Sequence, residues 1–405
     1  MSEDCCSSPS LISVDDAITR ILEPVSAVEQ LEVVDIENAL GRVLAEDVCS
    51  SINVPGYDNS AMDGYAVRSA DCVEPGSQLL VAQRIPAGQV GSPLEVGTAA
   101  RIFTGAPIPA NADAVVMQEH CDQEGDQVTI NKPVKMAQHI RRAGEDISQG
   151  SVVLKVGHQL RPQELGLLAS VGLAKVSVTR KLKVATFFTG DEIIEPGNKL
   201  GEGQIYNSNK YTIKGLLQAT GCEILDLGIV PDTLEATLEV LKKASSDADL
   251  VVTSGGVSVG EEDYVRIALE QLGELKMWRI AMKPGKPVAY GKVGDAIFMG
   301  LPGNPVSTFV TFLLFVRPLI SKMHGAKKYL NTFANVRAAF DWPAVSRQEY
   351  LRVRLEQDDS WVVAKLFPHQ GSGVLSSTCW ADGLVKVAID TEIKQGDVVS
   401  YLQFI

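Results

Sequence analysis

A chain of 405 residues exceeds what one hydrophobic core supports, and its 45% hydrophobic and 21% charged content is ordinary globular composition. A net charge of −13 argues against nucleic acid and anionic membrane as partners, and leaves an anionic ligand only where positive charge is concentrated. No apolar run is long enough to span a bilayer, the acidic start "MSEDCCSSPS" lacks the pattern of a secretory signal, and seven cysteines without a C-x-x-C pair predict a reducing cytoplasm.

In chain order, "SVDDAITRILE" (13–23) predicts a helix with Ser13 as N-cap and two aspartates at the positive end of its dipole. Residues 52–150 hold short apolar runs broken by Gly, Pro, Asn and Asp, the spacing of a β-rich module. Residues 160–182 predict a helix and then a strand. From Lys183 strands alternate with helices: "KVATFFTG", "NKYTIKGLLQATG", "EILDLGIV", "TLEATLEVLKKASSD", "DLVVTSGG", "EDYVRIALEQLG", then "PVAYGKV" and "AIFMGLPG" as strands. That rhythm predicts a largely parallel sheet covered on both faces, with ligands beyond the carboxyl ends of its strands. The apolar segment "VSTFVTFLLFVRPLI" reads as a buried helix, and residues 330–405 return to short strands.

The expected fold class is therefore multidomain α/β plus β. A small helical and strand domain (1–51 and 151–182) receives an inserted β-rich domain (52–150). A central three-layer α/β domain (183–328) carries a mostly parallel sheet, and a C-terminal β-barrel-like domain (329–405) follows.

The loops after the α/β strands carry the chemistry. "VVTSGGVSVGEEDY" begins as an anion-holding loop, Ser254, Gly255, Gly256 and Ser258, and ends in carboxylates at Glu261, Glu262 and Asp263. Thr189-Gly190-Asp191-Glu192 and Pro231-Asp232 follow two other strands. In "LPGNPVS", Asn304 suits an N-cap and Pro305 the first helical position, which leaves N–H groups near Ser307 for an anion or for a simple cap. "MKPGKP" holds Lys283 and Lys286 about a Pro-Gly turn, four residues after Arg279. It reads as an anion site or a solvated basic loop. Arg141 and Arg142 by themselves read as a solvated pair. "NVPGYDNSAMDGYAV" mixes turn residues with Asp58 and Asp63.

Together "DNSAMDGYAV", "FTGAPIP", "RRAGEDI", "TGDE", "SGGVSVGEEDY", "KPGKP", "LPGNPVS" and "HQGS" stand in an order that resembles the molybdopterin molybdenumtransferases, the family that includes the C-terminal domain of gephyrin. The resemblance runs from about Asp15 to the C-terminus. It implies an L-shaped homodimer of four-domain subunits. It also implies insertion of molybdenum from molybdate into adenylylated molybdopterin with release of AMP. It places catalytic roles on Asp63, Thr104, Glu192, Asp232 and Asp263, and Mg²⁺ binding on Asp191, Glu192, Asp232 and Asp263. Arg141, Arg279, Lys283, Pro302, Pro305 and Ser372 fall at its substrate-binding positions, although Arg279 stands where bacterial relatives often have Lys. Composite sites that take Asp63, Thr104 and Arg141 from the other subunit are implied too, as is a molybdopterin adenylyltransferase as substrate donor. A divalent cation answers why carboxylates stand beside an anion loop: it bridges them to phosphate. Two other readings remain at this level. One is the preceding adenylyltransferase step, which lacks such β modules; the other is a gephyrin-like scaffold, which carries a fused second enzyme domain.

Overall fold

The computed structural model describes residues 11–256, 264–358 and 361–404. The first helix, Val14–Leu22, starts where Ser13 Oγ accepts from Asp16 N at 3.0 Å. It buries Val14, Ala17, Ile21 and Leu22 in the largest core. Two antiparallel pairs form the base: Leu31–Asp35 with Lys175–Thr179, and Val48–Cys49 with Val152–Leu154. Both pairs join the chain before the β module to the chain after it, so the module between them is an insertion. Val54 and Ile147 exchange backbone hydrogen bonds of 2.7 and 3.1 Å where the two connecting segments cross.

The inserted module is a six-stranded sheet in the order Ala114–Met117, Gly64–Val67, Thr98–Ile102, Ser77–Ile85, Gln127–Ile130, Cys121–Glu124. All its pairings are antiparallel except that between Ser77–Ile85 and Thr98–Ile102. Apolar side chains of alternate residues feed separate cores, Tyr65 and Val67 on one side and Ala66 on the other.

The central sheet runs Glu223–Val230, Lys183–Thr189, Leu250–Ser254, Ala296–Leu301, Pro287–Val293, Gly273–Arg279. Its first four strands are parallel and the last two antiparallel. The strand Gly273–Arg279 goes beyond the sequence reading, which ended the preceding helix there and named no strand. No helix separates these last three strands, and connections so short permit only antiparallel pairing. Gly294 and Asp295 make the two-residue turn of the final hairpin, Gly294 at φ +58°. One face buries Val184, Phe188 and Val252 beneath Ile213, Leu217 and Phe312, the other Ala185, Phe187 and Val251 beneath Leu241, Val265 and Leu269. Helices on both faces of one sheet make the three layers.

A helix of 19 residues, Pro305–Met323, is apolar enough to cross a membrane, yet 78% of an 18-residue stretch of it is buried inside the chain. It widens to a π turn at Phe312–Val316, ahead of Pro318. Proline has no N–H to donate. In the wide turn the carbonyl left without that donor is Leu313 O, and Asn331 Nδ2 bonds it at 2.9 Å. Beyond it, Ala334–Ala338, Gln348–Asp358, Trp361–Leu366, Gly383–Val387 and Val398–Gln403 close into a five-stranded barrel. The described cysteines Cys49, Cys72, Cys121, Cys222 and Cys379 are free thiols.

His324 closes the long helix and is 9% exposed; its Nε2 accepts from Leu182 N at 3.3 Å. Burial, with help from the charge of Arg42, lowers its pKa to about 4. An unfolded histidine charges near 6.5. Between these values the unfolded chain binds the extra proton, so stability is complete above pH 6.5 and falls as pH drops toward 4, by up to about 3 kcal/mol. Urea midpoints at pH 7 and 4.5 should fall further for the native chain than for His324→Gln. Equal losses in both would remove His324 as the cause.

Candidate functional site

The parallel strands end in register. Thr189 lies opposite Val230, Phe188 opposite Ser254, and Ser254 opposite Leu301. The chain leaves Lys183–Thr189 for one neighbour and returns to the other side, so the loops part at this point and open a crevice. Gly255 and Gly256 stand there with φ of +92° and +60°. A Cβ on Gly256 would lie 2.9 Å from Thr189 Oγ1, so the two loops touch and only backbone fits between them.

A polar knot holds the rim. Ser254 Oγ donates to Pro302 O at 3.1 Å, and Asn209 Nδ2 donates to Ser254 Oγ and to Gly303 O, both at 2.7 Å. Thr308 Oγ1 donates to Pro302 O at 2.5 Å. Ser254 is 5% exposed with its hydroxyl engaged, so in this structure it braces the loops. Asn304 takes the cap position before Pro305, but its side chain makes no capping bond. Of the N–H groups expected to face an anion, Val306 N is already used: it donates to Ser372 O at 3.0 Å.

That bond brings the barrel onto the rim. The short strand Met282–Lys283 pairs in parallel with Gln348–Glu349, and Gln348 N donates to Ala281 O at 2.9 Å. The result is a cleft of 740 Å³ between the α/β domain and the barrel. Glu192, Gly255, Gly256, Lys283, Lys286, Pro302, Gly303, Asn304, Ser307 and Ser372 line it. Residues the sequence reading did not single out line it too: Ile205, Arg347 and Gln370. Arg347 sits in "VSRQEY" without a local signal; only the barrel's docking gives it a place beside the lysines. Asn209 was also passed over, although "NSNKY" opens a helix.

Lys286 is exposed in the cleft, while Lys283 Nζ is 3.0 Å from Glu349 Oε1, whose Oε2 accepts from Trp342 Nε1. Lys283 is thus partly neutralised, and Lys286 and Arg347 carry more of the free positive charge. Beneath the Gln370–Ser372 loop Arg352 is 1% exposed and donates to Ser377 Oγ and Gly371 O, each at 3.1 Å. Burial lowers its pKa to about 10, which leaves it charged at neutral pH. Gln370 spans the same strand, accepting from Arg352 N and donating to Arg352 O.

Asp191 is exposed beside Glu192, and Asp232 follows the strand Glu223–Val230 on the same rim. Neither lines the cleft, and Arg279, half-buried opposite Pro287, lies just outside it. Pro305 also lies behind the lining. Among the described residues, no three His, Cys, Asp or Glu side chains gather as a metal site. Ser258 and Asp263 lie outside the described residues. Asp63 and Thr104 meet each other in the β module: Thr104 N and Oγ1 both donate to Asp63 Oδ1 at 2.8 Å. Those two bonds, the backbone one foremost, hold the Asp63 carboxyl below its usual range. Arg141 is exposed opposite Asn59, while Arg142 pairs with Asp58. No residue of 52–150 lines the cleft of its own chain.

Three family models cover the chain in sequence. They are the "MoeA N-terminal region (domain I and II)" over residues 12–172, a "probable molybdopterin binding domain" over 185–322, and the "MoeA C-terminal region (domain IV)" over 335–404. The molybdopterin molybdenumtransferase of Haemophilus influenzae is 45% identical over 320 residues, 79% of each chain. That of a Nostoc species is 39% identical over 82% of this chain and 78% of its own. The crystal structure of the molybdopterin biosynthesis moeA protein of Pyrococcus horikoshii OT3 superposes with a TM-score of 0.85 at 32% identity, over 98% of this chain and all of that one. On this agreement of sequence and fold, the chain belongs to the molybdopterin molybdenumtransferase family.

Proposed function

We propose that the cleft inserts molybdenum from molybdate into adenylylated molybdopterin and releases AMP. The observation that carries this reading is the cleft itself: in a chain of net charge −13, Lys286, Arg347 and Lys283 surround a backbone-lined crevice that faces Glu192. A pterin phosphate joined to AMP is a polyanion of matching size and sign. Gly255 and Gly256 bring main chain to the wall of the cleft, against which a phosphate would lie, and the cations offset its charge. The barrel wall, with Ser372 and Gln370, closes one side of the crevice.

Mg²⁺ holds few protein ligands, one or two carboxylates with the remainder from phosphate and water. Exposed Glu192 fits such a ligand, with Asp232 and Asp263 as the other candidates and Asp191 beside them. When bound, the ion neutralises phosphoanhydride charge. Glu192 and the neighbouring carboxylates also orient the water that attacks the bond, so no covalent nucleophile is needed. The cytoplasm, a homodimer, and substrate handed over by a molybdopterin adenylyltransferase complete the proposal. In that dimer Asp63, Thr104 and Arg141 would serve the partner's cleft, which accounts for their distance from their own.

Mixing the chain with molybdate and adenylylated molybdopterin should yield AMP and metal-bound cofactor in step, and Glu192→Gln should abolish both. AMP without metal insertion, or normal turnover in the variant, would contradict the reading. Arg347→Ala should weaken substrate binding by about 1.5–3 kcal/mol, the cost of a charge-assisted contact. Glu349→Gln frees Lys283 and should tighten binding, most clearly at low salt; unchanged affinity would show that Lys283 does not face the anion. Heterodimers of Asp63→Asn with Glu192→Gln should recover up to half of native activity per dimer, since one of two composite sites is then intact. Inactive heterodimers would place Asp63 in its own subunit's chemistry.

A further inference from the structure

The β module carries a cationic feature that the cleft does not use. Arg84 and Arg101 are cross-strand neighbours in the parallel pair Ser77–Ile85 and Thr98–Ile102, and Tyr65 lies opposite Arg101 on its other side. Like charges set side by side on a sheet repel. Here both share the Phe103 ring: the Arg84 guanidinium is 4.5 Å from its centre, and that of Arg101 is 4.8 Å away. Arg101 in turn lies 5.2 Å from the Tyr65 ring. Two guanidinium groups and two rings thus form one cation–π stack.

Neither arginine has a carboxylate within ion-pair distance among the described residues, in a chain with 50 acidic side chains. Arg101 is anchored, donating to Gly64 O at 2.9 Å and Gln118 Oε1 at 2.6 Å. Arg84 is exposed, and its one described interaction is with the Phe103 ring. Stacking fixes the plane of its guanidinium and leaves the N–H edges open. Phe103 directly precedes Thr104, and Arg101 follows Asp63 closely enough to favour its ionised form. The stack therefore continues the Asp63–Thr104 site.

We propose that Arg84, splinted by Phe103 and Arg101, is an oxyanion-binding shelf on the β module. It takes one tetrahedral oxyanion of the substrate set, a phosphoryl group or molybdate. A planar fork with open N–H edges suits such an anion, and two isolated cations in an acidic chain do not suit a long polyanion. The identity of the anion rests on the proposed function; the shelf rests on the stack.

The test compares the native chain with Arg84→Gln and Arg84→Lys, each first checked for an unchanged melting temperature. Inorganic pyrophosphate and molybdate are titrated separately by calorimetry, and AMP release is followed against each substrate at low and high salt. The shelf predicts about tenfold weaker binding or higher KM in Arg84→Gln at low salt, a smaller loss at high salt, and partial rescue by lysine, which keeps the charge without the fork. A loss toward pyrophosphate and adenylylated molybdopterin assigns the phosphoryl group; a loss toward molybdate alone assigns the metal oxyanion. Native binding and KM for both anions in Arg84→Gln would overturn the shelf while leaving the proposed function standing. If the native chain released no AMP, that function would fail, and the two titrations would still decide the shelf.

Discussion

Four parallel strands that end flush are the constraint on which the rest depends. Because Val230, Thr189, Ser254 and Leu301 come out on one edge, every loop that follows them must emerge on the same side. Glycine then lets two of those loops touch, and the Asn209–Ser254–Thr308 knot sets their spacing. The barrel adds the second wall through two backbone attachments, at Gln348 and Ser372. Loss of either attachment would leave the rim an open groove.

Charge follows the same geometry. Several cations of this acidic chain are held by carboxylates: Arg180 by Asp249, Lys210 and Lys214 by Asp226, Arg142 by Asp58. Other cations meet in two places, Lys286 and Arg347 in the cleft and Arg84 and Arg101 on the β module. Lys283 is intermediate, since Glu349 holds it. Arg352 differs again: buried under the barrel loop, it is satisfied by carbonyls and a hydroxyl, and so acts as a structural cation. Exposure and pairing, more than residue type, separate ligand-facing cations from braces.

Much was legible in the sequence because it depends on neighbours along the chain. Ser13 before two aspartates, Asn304 before Pro305, and apolar runs that stop at Gly-Gly are local signals, and each marks an element boundary in the structure. The insertion was only weakly marked: residues 52–150 read as β-rich, but the pairing of the segments on either side is made by strands distant in the chain. The antiparallel edge of the central sheet was weakly marked as well: Gly273–Arg279 is as polar as a helix end, and its strand state comes from pairing with Pro287–Val293.

The sequence by itself determined most element types, the order of the motifs, and hence the family, since these reside in residue identity and spacing. Only the tertiary structure decided which groups face one another. Ser254 became a brace because Asn209, some 45 residues earlier, donates to it. Lys283 was paired with Glu349, 66 residues on. Arg347 entered the cleft because one strand of the barrel pairs with Met282–Lys283. Asp63 and Thr104 found each other across 41 residues yet stayed out of their own cleft. Hydrogen bonds and charges act over a few ångströms of space, and separation along the chain does not measure that distance until the chain has folded.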